Sequence, residues 1–175
     1  MSVDSRQPIT LLIADDDLED CMMMREALEE SHLANDLRFV HDGEELMAYL
    51  RREGKYSTPG EAPRPGLILL DLNMPRKDGR EALGEIKADP QLHAIPVVVL
   101  TTSRAEEDVY RSYELGVNSY ISKPVTFASF MDMVHTLGKY WLEIVELPPA
   151  KREIVQSGRA AGAELPQGRG EGHGQ

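Results

Sequence analysis

A doubly wound α/β domain, five parallel strands between two layers of helices, is the fold this sequence predicts. Two observations predict it. Five short β-rich runs alternate with five helical patterns along residues 9–148, the signature of consecutive βαβ units. Two of those runs, residues 67–70 and 96–100, are apolar throughout, as in strands buried on both faces of a parallel sheet. The right-handedness of parallel crossovers then lays helices on both faces and points every strand end the same way.

Residues 9–14 form the first strand, closed by Asp15, Asp16 and Asp17. Leu18, Met22, Arg25 and Leu28 follow at helical spacing, so a tight acidic turn leads into an amphipathic helix. Asp17 is placed as its cap, and Met22, Met23 and Met24 as packing. Residues 36–40 are a brief second strand; Asp42-Gly43 opens a second helix with Leu46, Tyr49 and Leu50 on one face. Residues 54–66 hold three prolines, three glycines and no apolar period, a loop that is long for an α/β connection.

The third strand, entered through Pro65-Gly66, ends in Asp71. It leads through Pro75 and Asp78-Gly79 into a third helix with Leu83 and Ile86 inward, stopped at Asp89-Pro90. The fourth strand ends in Thr101-Thr102-Ser103. Ser103 and Glu106 stand at capping-box spacing for a fourth helix, which Gly116 closes. Residues 119–122 are the fifth strand, followed by Lys123-Pro124. Thr126 caps a fifth helix whose stripe runs Phe130, Val134, Leu137, Trp141 and Val145, ended by Pro148-Pro149. Residues 1–8 read as a short arm, 9–148 as the domain, and 149–175, with six of the fourteen glycines, as a flexible tail.

Net charge is −11, and the segment 150–175 is about +1, which leaves about −12 on the rest. That balance disfavours nucleic acid or an anionic membrane as a direct partner. Cys21 is the only cysteine and the five histidines are scattered, so neither a disulfide framework nor a thiolate metal site is available. No stretch approaches the roughly 20 apolar residues of a membrane span, nor is there a signal-peptide core before Asp15. A cytoplasmic location is expected.

Chemistry gathers where the strands end. A carboxylate after a buried strand sits at the edge where open α/β sheets bind ligands, although Asp71 taken alone would serve equally as a turn cap. The first strand adds Asp15 and Asp16, the fourth Thr101 and the fifth Lys123. Three carboxylates and one lysine leave a local excess of negative charge that a hard divalent cation would cancel, and Mg²⁺ suits a few carboxylates plus water and phosphate oxygens. Such an ion also eases the approach of an anionic phosphoryl group to an anionic nucleophile.

The acidic pair after the first strand, Asp71 with Pro75 four residues on, Thr101 after the fourth strand and Lys123-Pro124 after the fifth closely resemble the receiver domain of response regulators, the CheY-like family, over roughly residues 10–147. The strand order 2-1-3-4-5 of this flavodoxin-like architecture comes with the resemblance and is not read from the residues. The resemblance implies that Asp71 accepts a phosphoryl group from a sensor histidine kinase. It further implies that Asp16, Asp71 and the Asn73 backbone carbonyl ligate Mg²⁺, with Asp15 acting mainly through water. Lys123 would pair with the phosphoryl oxygens, Thr101 would bond one of them, and Tyr120 would turn inward as Thr101 is recruited. The Lys123-Pro124 bond is expected to be cis.

The wording around the site, Pro75-Arg-Lys-Asp-Gly-Arg80, Ile86-Lys-Ala-Asp-Pro90, Leu100-Thr-Thr-Ser103 and Tyr140-Trp141, further resembles stand-alone receivers that partner phytochrome-type kinases. A haloacid-dehalogenase-type phosphohydrolase also uses a strand-end Asp, but needs a second Asp two residues on; here that residue is Asn73, which cannot exchange the proton. A transcription factor would need more than the glycine-rich segment after Pro149. Finally, the apolar fifth helix together with Tyr110, Tyr113, Tyr140 and Trp141 predicts a homodimer through the face built by the fourth helix, fifth strand and fifth helix, the face the family uses for such contacts.

Overall fold

The computed structural model describes residues 8–30 and 36–149. The proposed N-terminal arm and tail lie outside these, apart from Pro8 and Pro149. In chain order the elements are β1 (Thr10–Ala14), α1 (Leu18–Glu30), β2 (Asp36–Val40), α2 (Gly43–Arg51), β3 (Leu67–Leu70), α3 (Gly79–Ala88), β4 (Val97–Thr101), α4 (Glu106–Leu115), β5 (Ser119–Ser122) and α5 (Phe127–Lys139). All strand pairs are parallel, in the order β2-β1-β3-β4-β5. No helix among the described residues is long and apolar enough to cross a membrane.

The three central strands are buried on both faces because their side chains alternate between two cores. Leu11, Ile13, Leu67, Leu69, Val98 and Leu100 point to one side, under Met24, Ala27 and Leu28 of α1 and Phe130, Val134 and Leu137 of α5. Leu12, Ala14, Ile68, Leu70, Val97 and Val99 point to the other, under Leu46, Met47 and Tyr49 of α2 and Leu83 and Ile86 of α3. Only Ser112 is buried on α4, so that helix is the most lightly held. The long loop before β3 begins with a single 3₁₀ turn, Gly54–Tyr56. It is pinned further on, where Pro63 O accepts from the Tyr49 hydroxyl at 2.8 Å and Ala62 O from Arg52 Nε at 3.2 Å.

Most helix boundaries follow the expected caps. Asp17 Oδ1 accepts from the N–H groups of Glu19 and Asp20, and Thr126 Oγ1 accepts from that of Ser129. Gly116 closes α4 at φ 98, a left-handed conformation that glycine adopts at little cost. Three expectations are corrected. The inward face of α1 is Cys21, Met24, Ala27 and Leu28, whereas Leu18 and Met22 are 63% and 71% exposed. The three consecutive methionines place an apolar residue on several faces at once, so their spacing does not fix the phase.

The Ser103–Glu106 capping box is also absent: α4 starts after Ala105 without a side-chain cap, so Ser103 lies two residues ahead of the cap position, where its hydroxyl donates to Asp108 at 2.6 Å. Lastly, α5 passes at Tyr140 into a π-turn, Tyr140–Ile144, closed by Val145 N–H to Tyr140 O at 2.9 Å. This places Trp141 inside the α1/α5 core with Leu142, Val145 and Leu147 packed on it, so Trp141 is not a surface residue of a dimer face.

Candidate functional site

The sheet ladder continues one residue past three strand ends and thereby fixes the backbone of the site. Asp15 N–H bonds Val40 O at 3.0 Å, Asp71 N–H bonds Ala14 O at 2.9 Å, and Lys123 N–H bonds Thr101 O at 2.7 Å. The start of α3 presses against the other side of Asp71. A side chain at Gly79 would collide with the Asp71 carbonyl and with Leu72 Cα, so only glycine permits this approach. The intervening loop holds Arg76 at φ 64, a left-handed conformation that costs a non-glycine residue about 1–2 kcal/mol.

On this frame Asp15, Asp16, Asp71, Thr101 and Lys123 come together as expected. Asp71 is 5% exposed. Its Oδ1 accepts from the Thr101 hydroxyl at 2.7 Å and from the Asn73 N–H at 3.1 Å, while its Oδ2 accepts from the Lys123 ammonium at 3.2 Å. Lys123 Nζ also donates to Asp15 Oδ2 at 2.6 Å and to Asp20 Oδ2 at 2.7 Å. Each of its three donors is thus matched to a carboxylate. Asp20 was not among the residues expected from the sequence; the available signal was an acid one helical turn beyond Asp16.

The expected cis bond at Lys123-Pro124 is not found: among the described residues no peptide bond is cis. The trans form is the lower in energy for X–Pro, and the three carboxylates with the Thr101 carbonyl hold the lysine toward the site without it. Tyr120 lies half-buried with its ring on the α2/α3 core, and its hydroxyl donates to Ser103 O at 3.0 Å. Tyr110, Tyr113 and Tyr140 are exposed, though the Tyr113 hydroxyl also accepts from the Tyr120 N–H at 3.2 Å.

The charges explain one another. Burial pushes the Asp15 carboxyl up to about 6 although Lys123 opposes the shift. Burial alone would lower the Lys123 ammonium, but Asp15, Asp20 and Asp71 hold it well above its ordinary value. Both shifts favour the protonated form, Asp15 through burial and Lys123 through the three carboxylates around it. Cys21 lies directly beneath: its thiol donates to Asp15 O at 3.5 Å, and burial, then the Asp15 charge, pushes it up to about 12. Carboxylate oxygens of Asp15, Asp16 and Asp71 all lie within 4.8 Å of one another. Oxygens sharing one cation with bonds near 2.1 Å stand about 3–4 Å apart, so this all-oxygen set fits a small hard divalent ion with little rearrangement.

A second polar network joins α3 to α4 beside the site. Arg80 grips both oxygens of Asp108 at 2.6 Å and also donates to Asp78 and to Asn73 Oδ1. These bonds hold the Asp108 carboxyl down to about 2. Its folded value lies below the ordinary 3.8, so the stability it contributes is complete above pH 4 and is lost as pH falls toward 2. Asp108→Asn is therefore expected to cost about 1 kcal/mol at pH 7, a modest figure because Arg80 is partly solvated. That difference should vanish near pH 2, which urea melts of both proteins at the two pH values will check. An equal difference at both would show that the ion pair is not its source.

A parallel sheet in this order, with acids, a threonine and a lysine on its carboxyl edge, defines the receiver class, and the chain belongs to it. The family model for the response regulator receiver domain matches residues 11–135. The protein is a phosphorelay response regulator, a class that partners histidine kinases and binds a divalent cation. It is similar to the response regulator Rcp1 of Synechocystis sp., 46% identical over 150 residues, 86% of this chain and all of that protein. Among solved structures, the Mn²⁺-bound form of Rcp1 matches with 46% identity and TM-score 0.77, covering 81% of this chain and all of that one. The phosphorylated cyanobacterial phytochrome response regulator RcpA matches with 45% identity and TM-score 0.77, covering 82% of this chain and all of that one.

Proposed function

We propose that this response regulator accepts its phosphoryl group on Asp71 from a phytochrome-type histidine kinase. The observation that carries the assignment to Asp71 is its pair of restrained oxygens, one under Thr101 and the other under Lys123. A carboxylate oxygen of Asp71 attacks the phosphorus of the kinase phosphohistidine; the P–O bond forms, the P–N bond breaks, and the imidazole leaves. Asp15, Asp16, Asp71 and the Asn73 carbonyl would hold Mg²⁺ here, and the bound ion would neutralise charge between the carboxylates and the incoming phosphoryl group. Lys123 pairs with the transferred oxygens, and Thr101 bonds one of them. Because Tyr120 O–H meets the carbonyl of Ser103, two residues beyond Thr101, a shift of Thr101 is carried to Tyr120 and the α4/β5 surface.

The partner reading is supported by the likeness to Rcp1 and RcpA, of which the latter is described as a phytochrome response regulator. Rapid phosphotransfer is expected from a phytochrome-type kinase of the same genome and slower transfer from unrelated kinases, scored at short times with purified proteins. Transfer from an unrelated kinase and none from a phytochrome-type one would overturn it.

The homodimer expectation now rests on Tyr110, Tyr113 and Tyr140, which are 70%, 50% and 52% exposed. Of these, Tyr140 lines a groove of about 390 Å³ between β5 and α5, together with Ile121, Met133 and Leu137 among others. Exposed aromatics and an apolar groove on this face suit a two-fold contact. Sedimentation of wild type and of the exposed-site variants Tyr110→Glu and Tyr140→Glu should show a dimer at tens of micromolar that the glutamates dissociate. A wild type that stays monomeric with and without beryllofluoride would refute the proposal.

A further inference from the structure

We propose that Asp20, one turn into α1, is a positioning residue for the reaction at Asp71: it anchors the Lys123 ammonium while the lysine's other two acceptors serve the cation and the phosphoryl group. The inference rests on Asp71 as phosphoacceptor. Of the three carboxylates on the ammonium, Asp15 and Asp71 belong to the set whose oxygens converge within 4.8 Å, and Asp20 does not. Oxygens of Asp15 and Asp71 are therefore drawn into other bonds during phosphoryl uptake. Asp20 alone keeps no second task. Without it, a point charge on a flexible four-carbon stem would have no constant partner.

The aim of Asp20 is built into the backbone. Its N–H donates to Asp17 Oδ1 at 3.2 Å, and the Asp17 N–H in turn donates to Asp15 Oδ1 at 2.9 Å. The cap that starts α1 is thus tied to the site it serves, and the first helical turn presents Asp20 to the lysine. The pair is shielded, with side chains 17% and 5% exposed, so it is held more firmly than a surface ion pair. There is also a competitive effect. With Asp20 neutral, the ammonium settles on Asp15 and Asp71 alone, the two groups that must be free for the cation and for attack.

A double-mutant cycle tests this. Mg²⁺ affinity is measured by calorimetry for wild type, Asp20→Asn, Lys123→Ala and the double variant, with acyl-phosphate labelling of the first two and side-chain ¹⁵N NMR of the Lys123 ammonium in metal-free protein. Asp20→Asn is expected to weaken Mg²⁺ binding and slow labelling by about tenfold each when Lys123 is present, and to change Mg²⁺ binding less than about twofold when it is absent. The ammonium protons, slowed in exchange by three carboxylates, should exchange faster in Asp20→Asn. If Asp20→Asn fails to fold, Asp20→Glu, which keeps the charge but displaces it, carries the same cycle. Wild-type behaviour of the variant, or an equal loss in the Lys123→Ala background, overturns the proposal. Label that survives Asp71→Asn would instead refute the site itself, so the two failures are distinguishable.

Discussion

Asp71→Asn abolishes labelling by a small acyl phosphate, a loss of at least about 10³-fold on the scale at which removal of a nucleophile is felt. The amide retains the shape and the hydrogen bonds to Thr101 and Asn73, so the fold should survive while the attacking oxygen does not. Chelating the divalent cation should suppress wild-type labelling as well, because the anionic phosphoryl group would then approach uncompensated carboxylates. Mass spectrometry of labelled wild type and variant, with and without chelator, checks both. Label that persists in Asp71→Asn, or that ignores the chelator, would place the acceptor elsewhere.

Lys123→Ala has the second-largest expected effect. It removes a buried cation from three carboxylates, a change of the kind that costs 3–5 kcal/mol when one partner of a buried pair is lost. Mg²⁺ should restore part of that stability, because it supplies positive charge to the same oxygens. Labelling is nevertheless expected to fall by about 10²-fold, the scale of losing one group aimed at developing charge. Lys123→Arg should rescue poorly, since a planar guanidinium does not replace a compact ammonium shared by three acceptors. Thr101→Ala, by contrast, should label but show a reduced beryllofluoride-induced change around Tyr120 in NMR spectra. Melts with and without Mg²⁺, together with labelling rates, decide the lysine's role. A Lys123→Ala protein that melts and labels like wild type would reduce it to a strand-end residue.

The architecture was legible because buried parallel strands leave little ambiguity. Leu67–Leu70 has nowhere to go but between two helical layers, and the caps at Asp17, Thr126 and Gly116 follow from local chemistry. The gathering of Asp15, Asp16, Asp71, Thr101 and Lys123 was legible for the same reason, since parallel strands share one carboxyl edge. The contacts that escaped depend on long side chains meeting across the fold. Lys123 and Asp20 are 103 residues apart, and Arg80 and Asp108 are 28 apart, with no periodicity linking either pair. Ser103 misled because α4 begins two residues later than its spacing to Glu106 implies, which leaves its hydroxyl to meet Asp108 rather than to cap the helix. Trp141 continues the inward stripe, and the structure buries it in the α1/α5 core rather than on a dimer face.

The position of Cys21 turns the site into its own reporter. The protein's single thiol lies behind the Asp15 carbonyl, buried and held almost wholly as the unreactive protonated form at neutral pH. An alkylating reagent reaches a buried thiol through local opening, so under native conditions the modification rate counts opening events around Cys21, beside the acidic pair. Comparing that rate in the unmodified and beryllofluoride-bound protein would measure how firmly phosphorylation clamps the floor of its own site, without any substitution.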